Sequence, residues 1–287
     1  MKRYIFTVTT GRSGQAKLFE IINHNFPNVL VTFEHPQVNT YFKGFLGTLE
    51  RKFRRNFVET HELLGRGRVI KSFGDEKMSF INRIAKKRLK EINRNLIKQN
   101  KEVYVDISKH YIRGLHEGFK TNLDKFSIIF LVRDPIENMK SFLNRNKNFN
   151  LDNGKVDANS NIFKLENKNL EKGELYLWAW FEYYLRYLKI LEDKKIDKSI
   201  LIETSKLNDK SYLKSKLEML DLKSEKLTFD DDTAKSSNLE QGYEKTKVTN
   251  DDIKIYKKFI KKVPNNILEK IKFLNGYDPS KIHNLKL

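Results

Sequence analysis

Thr9-Thr10-Gly11-Arg12-Ser13-Gly14-Gln15-Ala16-Lys17-Leu18 lies between a short apolar run at 4–8 and an apolar-periodic helical segment. A strand that turns through two glycines into a helix has the anatomy of a phosphate cradle. Gly11 and Gly14 permit the tight turn and close backbone approach, successive N–H groups point inward, and the helix start aims its positive end at an anion. Arg12 adds a guanidinium inside the loop. The stretch nearly satisfies the nucleotide-binding pattern GxxxxGK[ST], with Gly11 at the first glycine and Lys17 at the lysine. Ala16 replaces the second glycine, and Leu18 replaces the hydroxyl residue that would hold Mg²⁺. The loop therefore suggests an anionic nucleotide handled without a metal ion.

Apolar runs read as strands at 4–10, 29–33, 69–73, 103–107, 127–133 and 199–203, with helical patterns between them. Strand alternating with helix predicts an α/β protein with a mostly parallel central sheet flanked by helices. A length of 287 residues suits one such domain spanning 1–287. Ligands on parallel sheets sit at the carboxyl ends of the strands, where the loop at 11–14, Glu34, His110 and Arg133 all emerge.

A second segment sharpens the reading. Ser127-Ile128-Ile129-Phe130-Leu131-Val132-Arg133-Asp134-Pro135 is a continuous apolar strand ending in Arg-Asp-Pro, and it turns into a helix carrying Ser141. The two motifs together resemble the sulfotransferases that use 3′-phosphoadenosine 5′-phosphosulfate (PAPS). In that family a loop of the type [KR]-S-G-T-T after the first strand wraps the 5′-phosphosulfate. A strand ending R-[DN]-P, with a serine eight residues beyond the arginine, grips the 3′-phosphate. Arg12-Ser13-Gly14 resembles the first motif, and Arg133 with Ser141 resembles the second at the family's spacing. A guanidinium offers a planar fork to phosphate, and a hydroxyl one turn into a helix adds a donor beside the dipole.

Gln15 and Ala16 stand where the family has two hydroxyl residues, so backbone amides and the Gln15 amide would substitute. Looser likenesses extend over 4–277: the strand and [DE]-x-[ST]-type segment at 103–111, the late strand at 200–207, and Gly276-Tyr277 after the last helix. The resemblance implies a P-loop-like sulfotransferase fold, PAPS as co-substrate, adenosine 3′,5′-bisphosphate as product, and no metal requirement. Lys235 and Asn238, in the polar stretch at 227–247, would close a late loop over the nucleotide.

Sulfuryl transfer builds charge on the bridging and leaving oxygens, so catalysis is positioning, leaving-group stabilisation and deprotonation of the acceptor. Arg12 would neutralise the 5′-phosphosulfate as the bond breaks. Two residues compete as the base. Glu34 follows the strand at 29–33, close to the position of the catalytic glutamate in tyrosylprotein and related sulfotransferases. His110 follows the strand at 103–107 and corresponds in type to the histidine base of cytosolic sulfotransferases. Glu34 is preferred. Two other functions stay open: a kinase or NTPase with a degenerate P-loop, for which Lys17 speaks and Ala16 and Leu18 speak against, and a non-catalytic binder of nucleotide or polyanion.

The formal net charge of +19 suits polyanions. Abundant Lys, Asn and Ile also points to an AT-rich coding sequence in which lysine fills solvated surface. The basic helix at 78–99 reads as a core stripe with a solvated basic face, not as a specific nucleic-acid reader. The chain has no cysteine, which excludes a disulfide framework and thiolate chemistry. It shows no apolar run long enough to span a bilayer and no room for a cleavable signal before the first strand, so a cytoplasmic protein is expected. The polar segment at 145–172 reads as a lid over the acceptor cleft or as disorder. The aromatic helix at 175–191 reads mostly as core. The acceptor is expected to be a carbohydrate or other small molecule, and the sequence leaves the oligomeric state open.

Overall fold

The structure is a computed structural model that describes residues 2–36, 41–144, 160–165, 170–229, 247–279 and 282. Its first half runs β1 (Arg3–Thr9), α1 (Gln15–Asn25), β2 (Val29–Phe33), α2 (Gly44–Phe57), α3 (Thr60–Leu63), α4 (Arg68–Gly74), α5 (Met78–Lys98), β3 (Val103–Ile107) and α6 (Leu115–Asn122). There follow β4 (Phe126–Val132), α7 (Pro135–Leu143), α8 (Lys172–Leu191), β5 (Ile196–Glu203), α9 (Lys210–Glu218) and α10 (Asn250–Ile260).

The strands form one five-stranded sheet in the order β2-β3-β1-β4-β5, every pair parallel. Both faces are covered, which is why these strands appear in sequence as continuous apolar runs. Alternate side chains feed two cores. Phe6, Val8, Ile128 and Phe130 pack with α5, α6, α8 and α10, whereas Ile5, Ile129, Leu131 and Ile202 pack with Leu18 and Ile22 of α1 and Leu213 and Leu217 of α9. The chain moves outward from β1 to β2, returns to β3, and then crosses β1 to reach β4. That reversal opens a crevice at the carboxyl end of the sheet centre.

The segment at 69–73, expected as a strand, is helix α4. Val69 and Ser72 are buried while Lys71 is exposed, a spacing of three instead of two. The helix sits against Gly114, where an added Cβ would lie 2.7 Å from Phe73 Cβ and 3.3 Å from the Val69 carbonyl oxygen. Near the end of the described residues the chain makes two short turns, Asn265–Leu268 and Lys272–Leu274. Most of the expected lid at 145–172, and both Lys235 and Asn238, lie outside the described residues. The chain re-enters α8 under tight control: the backbone N–H groups of Ile162 and Phe163 donate to the buried Glu182 carboxylate at 2.9 and 3.1 Å. Among the described residues no helix is long and apolar enough to cross a membrane.

Candidate functional site

The glycine loop between β1 and α1 is held from three sides. From below, the buried Asn138 of α7 donates through Nδ2 to the Gly11 carbonyl (3.0 Å), while its Oδ1 accepts from Thr10 Oγ1 (2.6 Å). The Tyr176 hydroxyl of α8 lies 2.8 Å from Asn138 Oδ1 and 3.0 Å from the Gly11 carbonyl oxygen. From the β5 side, Thr204 Oγ1 lies 2.9 Å from the Ser13 carbonyl oxygen and 3.0 Å from that of Val132. From the β4 side, Arg133 Nη1 donates to the Arg12 carbonyl at 3.1 Å.

Arg12 and Gly14 both adopt left-handed backbone, at φ 72° and 79°. For Arg12 this costs on the order of 1 kcal/mol, which the surrounding hydrogen bonds offset. Gly14 cannot readily be another residue, since an added Cβ would come 2.5 Å from Leu207 Cδ1. Gly14 leads directly into α1, and no side chain caps that helix. Its first N–H groups have no intrahelical acceptor, so the helix presents free donors and a positive dipole end. Gln15 adds a buried Nε2 with no hydrogen-bond partner among the described residues. These features fit an anionic group seated on the loop. Ser13 differs from expectation: its hydroxyl is buried against Thr10 (2.9 Å) and Asn138 (3.4 Å), so it serves the loop's own structure. Ala16 is half-buried in the first turn. Lys17 donates to Asn208 Oδ1 and stands 5.6 Å from the Phe229 ring centroid.

Arg133 also pairs with Glu137 at 3.3 Å. Asp134 caps α7 by accepting the N–H groups of Ile136 and Glu137, each at 2.9 Å, with Pro135 at the first helical position. The Tyr277 hydroxyl donates to Asp134 Oδ2 at 2.6 Å, so Tyr277 locks the cap. Burial raises the Asp134 carboxyl above its ordinary value, opposed by the Tyr277 and backbone hydrogen bonds. Ser141 is the seventh residue of α7, nearly two turns in instead of one. It lies one turn beyond Glu137 on the same face of the helix.

The two rival bases are neighbours. Glu34 terminates β2 at φ 42°, and its N–H still donates to the Ile107 carbonyl (3.1 Å), so β3 fixes its position. Its carboxylate meets Lys109 Nζ at 2.7 Å and lies 3.9 Å from His110 Nε2. Glu34 is partly exposed, whereas His110 is buried with neither ring nitrogen hydrogen-bonded among the described residues. Burial, and then the charges of Arg113, Lys109 and Arg66, hold the His110 imidazole well below its ordinary value, so it is neutral at pH 7. Lys109 connects this pair to the loop, because a Cβ on Gly11 would lie 3.3 Å from Lys109 Cδ. Desolvation pulls the Lys109 ammonium below its ordinary value, and Glu34 opposes that.

Sequence reasoning overlooked Thr10, Asn138, Tyr176 and Thr204 as loop supports, and Lys109 as the link. The one sequence signal was a polar Asn facing inward from a helix otherwise packed by Ile136 and Met139.

The protein so defined is a parallel α/β protein with an uncapped, glycine-turned anion loop at its central strand. No family model and no curated protein matches the chain. Among solved structures it is similar to the sulfotransferase domain of the Synechococcus PCC 7002 olefin synthase, with 13% identity, a TM-score of 0.49 and 97% of each chain covered. It is also similar to the sulfotransferase domain from the curacin biosynthetic pathway, with 13% identity and a TM-score of 0.48, covering 97% of this chain and 99% of that one.

Proposed function

We propose that the chain is a PAPS-dependent sulfotransferase acting on a hydroxyl-bearing acceptor, a carbohydrate or small metabolite. The observation that carries this reading is the contact between two separately read motifs: Arg133 is bonded to the Arg12 carbonyl at 3.1 Å, and Glu34 reaches the same loop through Lys109. One basic residue from each motif and a carboxylate thus stand around an uncapped helix start.

In the reaction, the acceptor oxygen forms a bond to sulfur, and the bond from sulfur to the bridging phosphate oxygen breaks. The N–H groups of the loop, the Gln15 amide and Arg12 would hold the 5′-phosphosulfate. Arg12 and the helix dipole would then stabilise the charge left on the phosphate. Arg133 and Ser141 would hold the 3′-phosphate. Glu34 would take the acceptor's proton, with Lys109 orienting it, and neutral His110 would line the site from the buried side. The Lys109 ammonium, between Glu34 and Gly11, would meet the sulfonate in transfer.

Two observations favour this over a P-loop kinase. Leu18, at the metal-ligand position of that motif, is fully buried in the core, and Lys17 is directed to Asn208 and Phe229.

Thermal unfolding with adenosine 3′,5′-bisphosphate, AMP, and ATP with Mg²⁺ tests the reading. A ligand at about a hundredfold its Kd adds about 2.7 kcal/mol. The expected result is stabilisation by the bisphosphate that disappears in Arg133→Ala. Stabilisation by ATP with Mg²⁺ alone would replace it with the kinase reading.

A further inference from the structure

Seven of the ten large apolar side chains that stand exposed among the described residues fall between Tyr41 and Phe57. Five of them, Phe45, Leu46, Leu49, Phe53 and Phe57, belong to α2 and occupy an arc of about 120° on its surface at helical spacing. Exposure runs from 47% for Leu49 to 76% for Phe45, so the face is uncovered along its whole length. With Phe42, the four phenylalanines alone present roughly 500 Å² to solvent, a size at which an apolar patch marks an interaction surface.

One flank of the helix holds the residues that lead into it. Glu50 accepts the N–H groups of Tyr41 (2.7 Å) and Phe42 (3.1 Å) and pairs with Arg54 (2.8 Å), whose guanidinium lies over the Tyr41 ring. Gly47 is buried against the Phe42 carbonyl, where a Cβ would come within 2.4 Å. These contacts fold the residues leading into α2 against one flank of the helix and leave its apolar arc bare. Lys52, about 20° beyond the Phe45 edge of the arc, and Lys43, at the N-terminal end of the helix, flank the apolar arc and are exposed.

We propose that α2 is an interfacial helix that seats the protein on an anionic lipid surface. An apolar arc rimmed by cations is complementary to an anionic headgroup layer over acyl chains, and a helix lying in that plane buries such an arc without spanning the bilayer. A second copy is disfavoured by charge, since each chain carries a net +19 and the rims of two α2 helices would meet cation to cation. The inference stands apart from the sulfotransferase reading, as no nucleotide-site residue takes part.

The test is vesicle co-sedimentation of the full chain, using phosphatidylcholine alone and equal parts phosphatidylcholine and phosphatidylglycerol. The wild type is expected to bind the mixed vesicles at least about tenfold more tightly than phosphatidylcholine. Phe45→Ser/Phe53→Ser keeps every charge and should lose about tenfold or more on the mixed vesicles, with unchanged thermal unfolding because both side chains are exposed. Lys43→Ser/Lys52→Ser should lose the preference for phosphatidylglycerol. Equal binding by the phenylalanine variant would reduce the effect to bulk charge and overturn the proposal. So would absence of wild-type binding, or a dimer in sedimentation that the phenylalanine substitutions dissolve while vesicles are ignored.

Discussion

Asn138→Ala is the sharpest probe of how the loop is held. The side chain is fully buried and makes three good hydrogen bonds, with Thr10 at 2.6 Å, Tyr176 at 2.8 Å and Gly11 at 3.0 Å. Removing it leaves fallback partners, since Thr10 keeps Ser13 and Tyr176 keeps the Gly11 carbonyl. The cost is therefore the net worth of the bonds, about 1 kcal/mol each, and about 3 kcal/mol in total, without a large penalty for orphaned groups. For 287 residues, an unfolding entropy of about 2.1 cal/mol/K per residue converts this to a fall in Tm of about 5 °C. Urea denaturation should show a lower midpoint at unchanged slope. Because the lost bonds hold Gly11 and Thr10, affinity for adenosine 3′,5′-bisphosphate should fall with stability, whereas Tyr176→Phe should show a smaller loss of both. A Tm within about 1 °C of wild type would refute the claim that Asn138 organises the loop.

Two further outcomes follow from the site and its flank. Burial pushes the Asp106 carboxyl up to about 6 from an ordinary 3.8, against the opposing pull of Arg88 and Thr32. The folded state therefore holds this proton more tightly than the unfolded one, so the contribution is complete below about pH 4 and is lost as pH rises through about 6. Relative to wild type, Asp106→Asn should gain on the order of 3 kcal/mol between those limits in urea titrations, and a constant difference would contradict the assignment. At the proposed base, Glu34→Gln should lower kcat by about a hundredfold or more while leaving the affinity for adenosine 3′,5′-bisphosphate unchanged. A larger kcat loss in His110→Asn would transfer the role to the histidine, and Lys109→Ala separates loss of the base from loss of its ion pair.

The sheet was legible because parallel strands buried on both faces are continuous apolar runs, and β1, β2, β3, β4 and β5 all carry that signal. The same rule misled at 69–73, where a short run with two β-branched residues docks as a helix against Gly114; nothing local distinguishes the two outcomes. The loop could be read because its glycines and Arg12 are adjacent in sequence. What holds it could not, since Asn138 and Gly11 meet across 127 positions and Tyr176 and Gly11 across 165. Glu34 and His110 were each visible as candidates, but as rivals; only the β2–β3 register shows that they face one another through 3.9 Å. The outward-facing arc of α2 was invisible for a different reason: amphipathic spacing looks the same whether the apolar side is covered or bare.

The central claim is that Arg133 and the loop at 11–17 read a nucleotide with phosphates at both ends. Calorimetric titration of wild type and Arg133→Ala with adenosine 3′,5′-bisphosphate and with AMP tests it most directly. A charge-assisted contact to the 3′-phosphate is worth roughly 1.5–3 kcal/mol, so wild type should prefer the bisphosphate by about 10- to 100-fold and Arg133→Ala should bind both alike. Equal affinity for the two nucleotides in wild type, or a preference that survives in Arg133→Ala, would contradict the account.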